Sequence, residues 1–191
     1  MKINLKKKLK LGLKAGRGKV RNKVFKRYNK VKYLLRIKHW RGRDVHSPFT
    51  YRLVRSALMY NKNNFFYPDR KMAEILLQNR VSRGQAYRVC RVYAYLGFNS
   101  YVFGAENYGG EDMLFILSSL TEREVDNIAV RMKERGGRSC MVLFSLYETP
   151  QRHKIWNYIV KNVDAVAIDL YYTGFLFFDD NLNKQCYKMR V

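Results

Sequence analysis

The sequence predicts an α/β sandwich built on a mixed sheet and preceded by a basic helical extension. Three observations carry this. Apolar residues recur at helical spacing up to Leu96. From Ser100 onward, short apolar runs alternate with capped amphipathic segments. The last long runs, residues 163–170 and 175–178, are joined by a compact turn that favours an antiparallel hairpin. Helices followed by β-α-β-α-β and a hairpin bury both faces of one sheet. A chain of 191 residues, 47% hydrophobic, suits one such core plus an extension rather than two cores.

The extension is residues 1–43, and the domain is 44–191. Residues 1–43 hold 18 Lys and Arg and no acid, so this arm contributes +18 of the formal +23, and the remainder only +5. Such a block attracts phosphate, whether of RNA, DNA or anionic lipid. Leu5, Leu9 and Leu13 fall at helical spacing, and so do Val20, Val24, Tyr28, Val31 and Leu35, with Gly16-Arg17-Gly18 as a hinge between two basic amphipathic helices. Lys6, Lys7, Lys8, Lys10, Lys14, Arg17, Lys19, Arg21, Lys23, Lys26 and Arg27 are the candidate polyanion contacts, each neutralised phosphate releasing a counterion. Up to about residue 20 a solvated tail fits equally well; from Phe25 to Ile37 the spacing predicts a helix packed on the domain.

After a turn at His39–Arg43, Ser47 as N-cap and Pro48 at the first helical position start a helix expected to run from Phe49 to Tyr60. His46 has no second His, Cys or Asp at ligand spacing and reads as a packed structural residue. Phe65–Pro68 forms an apolar plug. Asp69 caps a helix through Val81, and Ser82 caps another from Arg83 to Leu96 that Gly97 ends. Tyr87, Tyr93 and Tyr95 on that helix, with Tyr101 beyond it, read as core residues rather than base-stacking platforms.

Strands are expected at Tyr101–Phe103, Met113–Leu117, Cys140–Phe144, Val163–Leu170 and Phe175–Phe178, with an edge strand at Gln185–Val191. Thr121 and Glu124 form a capping box for a helix that stops at Gly136-Gly137, and Thr149-Pro150 opens another through Val160. Joining parallel neighbours takes a crossover of about a dozen residues. The stretch from Ala105 to Asp112 is shorter, so the first two runs are expected to form an antiparallel hairpin, or one of them is not a strand.

The cysteines, Cys90, Cys140 and Cys186, are odd in number and widely spaced, which predicts reduced, mostly buried thiols. No apolar run reaches the ~20 residues that span a bilayer, and lysines interrupt any signal-like core. An organelle transit peptide would be Ser-rich, yet the first serine is Ser47. A cytoplasmic location is expected.

Gly42 to Phe49, reading Gly-Arg-Asp-Val-His-Ser-Pro-Phe, and an ending with Trp156, Ile168-Asp169-Leu170, Gly174 and Phe175–Phe178 together resemble a bacterial family. This is the class I S-adenosylmethionine-dependent methyltransferases of the kind frequent in Bacteroidetes, similar to small-molecule O-methyltransferases. The resemblance implies a truncated Rossmann-like methyltransferase sandwich, with S-adenosylmethionine as the cofactor, if any. Its glycine cradle corresponds to Tyr101–Glu106, which makes Gly104, Glu106, Gly109 and Gly110 the candidate cofactor-binding residues.

The middle departs from that pattern. The chain passes from Gly110 almost directly to what resembles the family's fourth strand, Met113–Leu117, omitting the acid that holds the ribose. Ser118-Ser119-Leu120 and Ser145–Thr149 stand where active relatives carry catalytic acids and histidines, and only Glu106, Glu148 and Asp169 are acids near strand ends. Methyl transfer needs a positioned donor and acceptor and a base or metal ion. The expectation is therefore a catalytically degenerate homologue without catalytic residues or a metal site, whose arm binds RNA or another polyanion. An active O-methyltransferase with an atypical cofactor site is the first alternative. The second is an RNA-binding or membrane-surface accessory protein, in its membrane form docked by Leu5, Leu9 and Leu13.

Overall fold

Local capping chemistry sets where most of the helices begin. The computed structural model describes residues 20–35, 45–59 and 69–190. Residues 20–34 form helix α1. Ser47 Oγ accepts from Thr50 N at 3.3 Å to start α2 (Pro48–Leu53), which continues as one π-helical turn, Val54–Leu58. Asp69 Oδ1 accepts from Met72 N at 2.8 Å ahead of α3 (Arg70–Gln78). Ser82 precedes α4 (Arg83–Tyr95), after which Gly97 takes a left-handed φ of 67°. Thr121 and Glu124 close the capping box of α5 (Glu122–Glu134), and Thr149 caps α6 (Pro150–Asn162). The expected arm helix over Leu5, Leu9 and Leu13, the hinge, the His39–Arg43 turn and the Phe65–Pro68 plug lie outside the described residues.

Among the described residues six strands form one mixed sheet: β1 (Tyr101–Phe103), β2 (Met113–Ile116), β3 (Ser139–Phe144), β4 (Val166–Asp169), β5 (Thr173–Phe178) and β6 (Gln185–Lys188). Their spatial order is β1-β2-β3-β5-β4-β6, and only β5 runs against the rest. The hairpin of β4 and β5 is the one expected, with Asp169 opposite Gly174.

The pairing of β1 with β2 corrects the expectation. Both are strands and they are parallel, with Tyr101 opposite Met113 and Phe103 opposite Phe115. The reason is length. At about 3.3 Å per residue, β1 is only about 10 Å long. Residues 104–112, at up to ~3.5 Å each, can retrace that distance without a full helix. A 3₁₀ turn, Ala105–Asn107, and left-handed backbone at Gly104 and Gly110, φ 89° and 114°, complete the return.

Strand residues alternate between two cores. Phe115, Val142, Phe144, Ile168, Phe175 and Phe177 face α2–α4, while Leu114, Ile116, Met141, Leu143, Leu176 and Phe178 face α5 and α6. Trp156 of α6 lies against Gly174, where an added Cβ would stand 2.7 Å from its ring.

Three further expectations change. Helix α1 does not pack by Val20, Val24, Tyr28, Val31 and Leu35, which are 57–68% exposed. Phe25, Asn29 and Tyr33 face the domain instead. The apolar stripe in the sequence is the outer one. His46 is exposed rather than packed, because the cap is made by the Ser47 hydroxyl alone and needs nothing from its neighbour. Of the tyrosines expected in the core, Tyr87 is buried, Tyr93 and Tyr101 meet edge to face at 5.6 Å, and Tyr95 is 42% exposed. Cys90 and Cys140 are buried and Cys186 is exposed, and none of the three is in a disulfide.

Candidate functional site

Because every strand except β5 points the same way, their carboxyl ends share one rim, where β5 also begins. Ligands of open α/β sheets bind outside such a rim, at the point where successive crossovers change direction. Here β1, β2 and β3 are laid down side by side in one direction. Tyr108 of the first connection packs in the same core as α5 and α6, so these crossovers cover one face. Among the described residues these successive crossovers do not part to opposite faces, so they form no topological switch point.

At the end of β1, Gly104 and Glu106 are brought together, but as each other's neighbours. The Glu106 carboxylate folds over Gly104, and a Cβ there would clash with Oε1. Gly109 N donates to Glu111 Oε2 at 2.8 Å, and Gly110 O accepts from Arg135 Nε at 2.6 Å. The four candidate cofactor residues share one connection, in which the Glu106 carboxylate covers Gly104 and that of Glu111 lies against Gly109, while the space beside Gly110 is open.

At the next two strand ends an arginine that the sequence pattern did not single out takes over. Arg152, one turn into α6, donates from Nη1 to Phe144 O at 2.9 Å and from Nη2 to Leu117 O at 2.8 Å. A planar guanidinium satisfies two carbonyls that the ladder leaves open. The only local hint is its position three residues after the Thr149 cap, which accepts from Arg152 N at 3.2 Å.

Around the end of β3 and the start of β5 the chain builds a tyrosine stack. Tyr171 lies parallel to Tyr147, centroids 4.8 Å apart, and to Tyr33 of α1 at 5.1 Å. Asp169 closes β4 fully buried, accepting from Tyr147 Oη at 2.6 Å and from Tyr171 N at 2.7 Å. It is paired and does not face solvent. Tyr171 has φ 74° and Ser145 φ 57°, left-handed conformations that cost such residues about 1–3 kcal/mol. The stack and the Asp169 bonds hold the first. Ser145 N, donating to Tyr172 O at 2.7 Å, holds the second.

Helix α1 closes this part of the rim. Tyr171 Oη donates to Lys26 O at 3.0 Å, Arg190 Nη1 to Leu34 O at 2.9 Å, and Lys26 Nζ pairs with Glu148 at 3.5 Å. Beneath it a cavity of about 310 Å³ is lined by Lys26, Arg27, Lys30, Tyr147, Glu148 and Tyr172. Glu148 therefore meets a lysine, while Glu106 and Asp169 stand at other corners of the rim.

Of the candidate polyanion contacts, Arg21, Lys23, Lys26 and Arg27 lie on α1 and are exposed. Lys6, Lys7, Lys8, Lys10, Lys14, Arg17 and Lys19 lie outside the described residues. Among the described residues, no group of three or more His, Cys, Asp and Glu is placed to hold a metal ion. No described helix is long and apolar enough to cross a membrane. No family model, no curated protein and no solved structure matches the chain.

Proposed function

We propose that this protein is a shortened, catalytically degenerate relative of S-adenosylmethionine-dependent methyltransferases whose domain acts as a scaffold presenting basic helix α1 to a polyanion, foremost RNA. The observation that carries the reading is the strand order. On the resemblance drawn from the sequence, β1, β2 and β3 would stand for the family's first, fourth and fifth strands, and the reversed strand β5 slots between β3 and β4. With the second and third strands absent, the reversal of winding that makes a cofactor crevice is absent too. Glu106 lies at the end of β1, Arg152 bonds the ends of β2 and β3, and α1 docks over the end of β4.

The binding side of the reading rests on the exposed Arg21, Lys23, Lys26, Arg27 and Lys30 of one docked helix. Two experiments test it. Calorimetric titration with S-adenosylmethionine is expected to give no saturable heat, and tight stoichiometric binding overturns the degenerate reading. Gel-shift titration with single-stranded RNA is expected to weaken steeply with salt. Replacing Arg21, Lys23, Arg27 and Lys30 by Gln should lower the slope of log K against log salt by about 0.7 for each phosphate no longer neutralised.

A second reading has its own observation. Val20, Val24, Tyr28, Val31 and Leu35 form an exposed apolar stripe on the same basic helix, the pattern of a helix lying in an anionic membrane surface. Flotation with liposomes containing anionic lipid favours this reading, and no flotation ends it.

A further inference from the structure

Tyr172 also walls a second cavity, of about 280 Å³, on the side of α4, with Tyr33, Ser82, Gln85, Arg88 and Thr173 around it. Its polar groups are unequally satisfied. Gln85 Oε1 accepts from Ser82 N at 3.1 Å and from Ser82 Oγ at 2.7 Å, while Nε2 donates to Thr173 Oγ1 at 3.1 Å. The Gln85 amide is thereby fixed. Thr173, only 3% exposed, has accepted a hydrogen bond and keeps its own hydroxyl proton to give.

Arg88 is different. Arg91, Arg131, Arg135, Arg138, Arg152 and Arg190 each donate to a carbonyl or carboxylate oxygen. Half-buried Arg88 has no hydrogen bond or ion pair among the described residues, and the charged or titratable group that acts on it is the Tyr33 phenol. Burial lowers its pKa, with Tyr33 opposing, yet a guanidinium stays protonated at any physiological pH. Its nitrogens keep contact with water, but its partial burial leaves the charge incompletely hydrated with no acidic group of the described residues beside it, at some cost to the fold. At the wall of a cavity, that cost is relieved when an anion enters.

We infer that the cavity between α1, α4 and the β4–β5 turn is a binding site for a small oxyanion, a phosphate or carboxylate group, held by the guanidinium fork of Arg88 and the hydroxyl of Thr173. The fork matches two oxygens of either group. The volume is at the small end of ligand pockets, which run from about 300 Å³ upward, so the ligand is a small acid rather than a nucleic-acid strand. The site is independent of polyanion binding, because Lys26, Arg27 and Lys30 line the other cavity.

The test is a titration of the full chain with sodium phosphate and, separately, sodium acetate at constant ionic strength, read by amide shifts in nuclear magnetic resonance. Saturable shifts centred on Gln85, Arg88 and Thr173 are expected in at least one arm, and the arm that titrates names the headgroup. In Arg88→Met the affinity should fall about ten- to hundred-fold, as loss of a charge-assisted pair implies. The same variant should melt at or above the temperature of the ligand-free parent, since an uncompensated cation has been removed. Arg88→Lys, which keeps the charge and loses the fork, should bind about ten-fold more weakly. No saturable shift in either arm overturns the inference, as does unchanged affinity in Arg88→Lys. A folded Arg88→Met that keeps parental affinity or melts well below the parent also overturns it.

Discussion

The Tyr147 hydroxyl donates to Asp169 Oδ2 at 2.6 Å, with Asp169 fully buried and Tyr147 5% exposed. This bond ties the turn after β3 to the end of β4 and seats Tyr147 in the tyrosine stack. Tyr147→Phe keeps the ring and removes one charge-assisted hydrogen bond, an expected loss of about 1.5–3 kcal/mol. Asp169→Ala removes two such bonds and releases left-handed Tyr171, so it should cost more. Urea unfolding of both variants checks the order, and a Tyr147→Phe protein as stable as the parent contradicts it.

Gly174 and Trp156 form a second tight pair. Gly174→Ala places a methyl 2.7 Å from the indole in a closed core. Overpacking of this kind costs about 1–3 kcal/mol. Because the conflict is between two side chains, Trp156→Leu should be less harmful in the alanine background than in the parent. A double-mutant cycle measures that coupling, and strict additivity would show that the ring is not the obstacle.

Asp112 gives a pH dependence whose sign follows from its surroundings. Burial alone would raise its pKa. The N–H groups of Asn99 and Ser100, the Ser100 hydroxyl and the Arg135 guanidinium overcome that and hold it below the usual aspartate value. A carboxyl depressed in the folded state contributes stability that is complete above its unfolded pKa of about 3.9 and is lost as pH falls through the folded value. Asp112→Asn should therefore be less stable than the parent at pH 6, with the gap narrowing below about pH 4. Melting curves across this range test it, and a constant gap counts against it.

The thiols should react in order of burial. Burial is the main reason the Cys90 thiol is pushed up to about 12, Asp69 adding to it, and burial also holds Cys140 well above the ordinary value. Neither offers thiolate at neutral pH, and Cys186 is exposed. A chromogenic disulfide reagent should label one thiol in the native protein and three after unfolding in guanidinium.

Removing the guanidinium of Arg152 from the rim should destabilise without creating a cofactor site. Arg152→Met leaves the carbonyls of Leu117 and Phe144 short of a donor, at about 1–3 kcal/mol each where water does not enter. S-adenosylmethionine should still give no saturable heat, since the crevice depends on strand order rather than on this side chain. Restored binding in the variant would place the block at Arg152 instead.

Much of the fold was legible from neighbours along the chain. Ser47, Asp69, Ser82, Thr121 and Thr149 announce helix starts because a cap is a contact across three residues, and Gly97 and Gly136 announce stops because their backbone is left-handed. Val163, expected to open β4, instead follows α6 as its cap residue, since apolar residues in sequence do not say where a helix stops feeding a strand. The candidate site was less legible. Gly104 and Glu106 do share a corner, but that Glu106 lies on Gly104 depends on side-chain conformation, which spacing does not carry.

The sequence by itself determined the order of helices and strands, the terminal hairpin and the concentration of charge in the arm, because caps, periodicity and composition act over a few residues. Only the tertiary structure decided that β1 lies parallel to β2, that α1 docks through Phe25, Asn29 and Tyr33, that Arg152 covers two strand ends, and that Arg88 lines a cavity with no acidic side chain among its described walls. Each of these depends on which distant atoms share a sheet rim, and that is settled by strand order and strand length once the whole chain has packed.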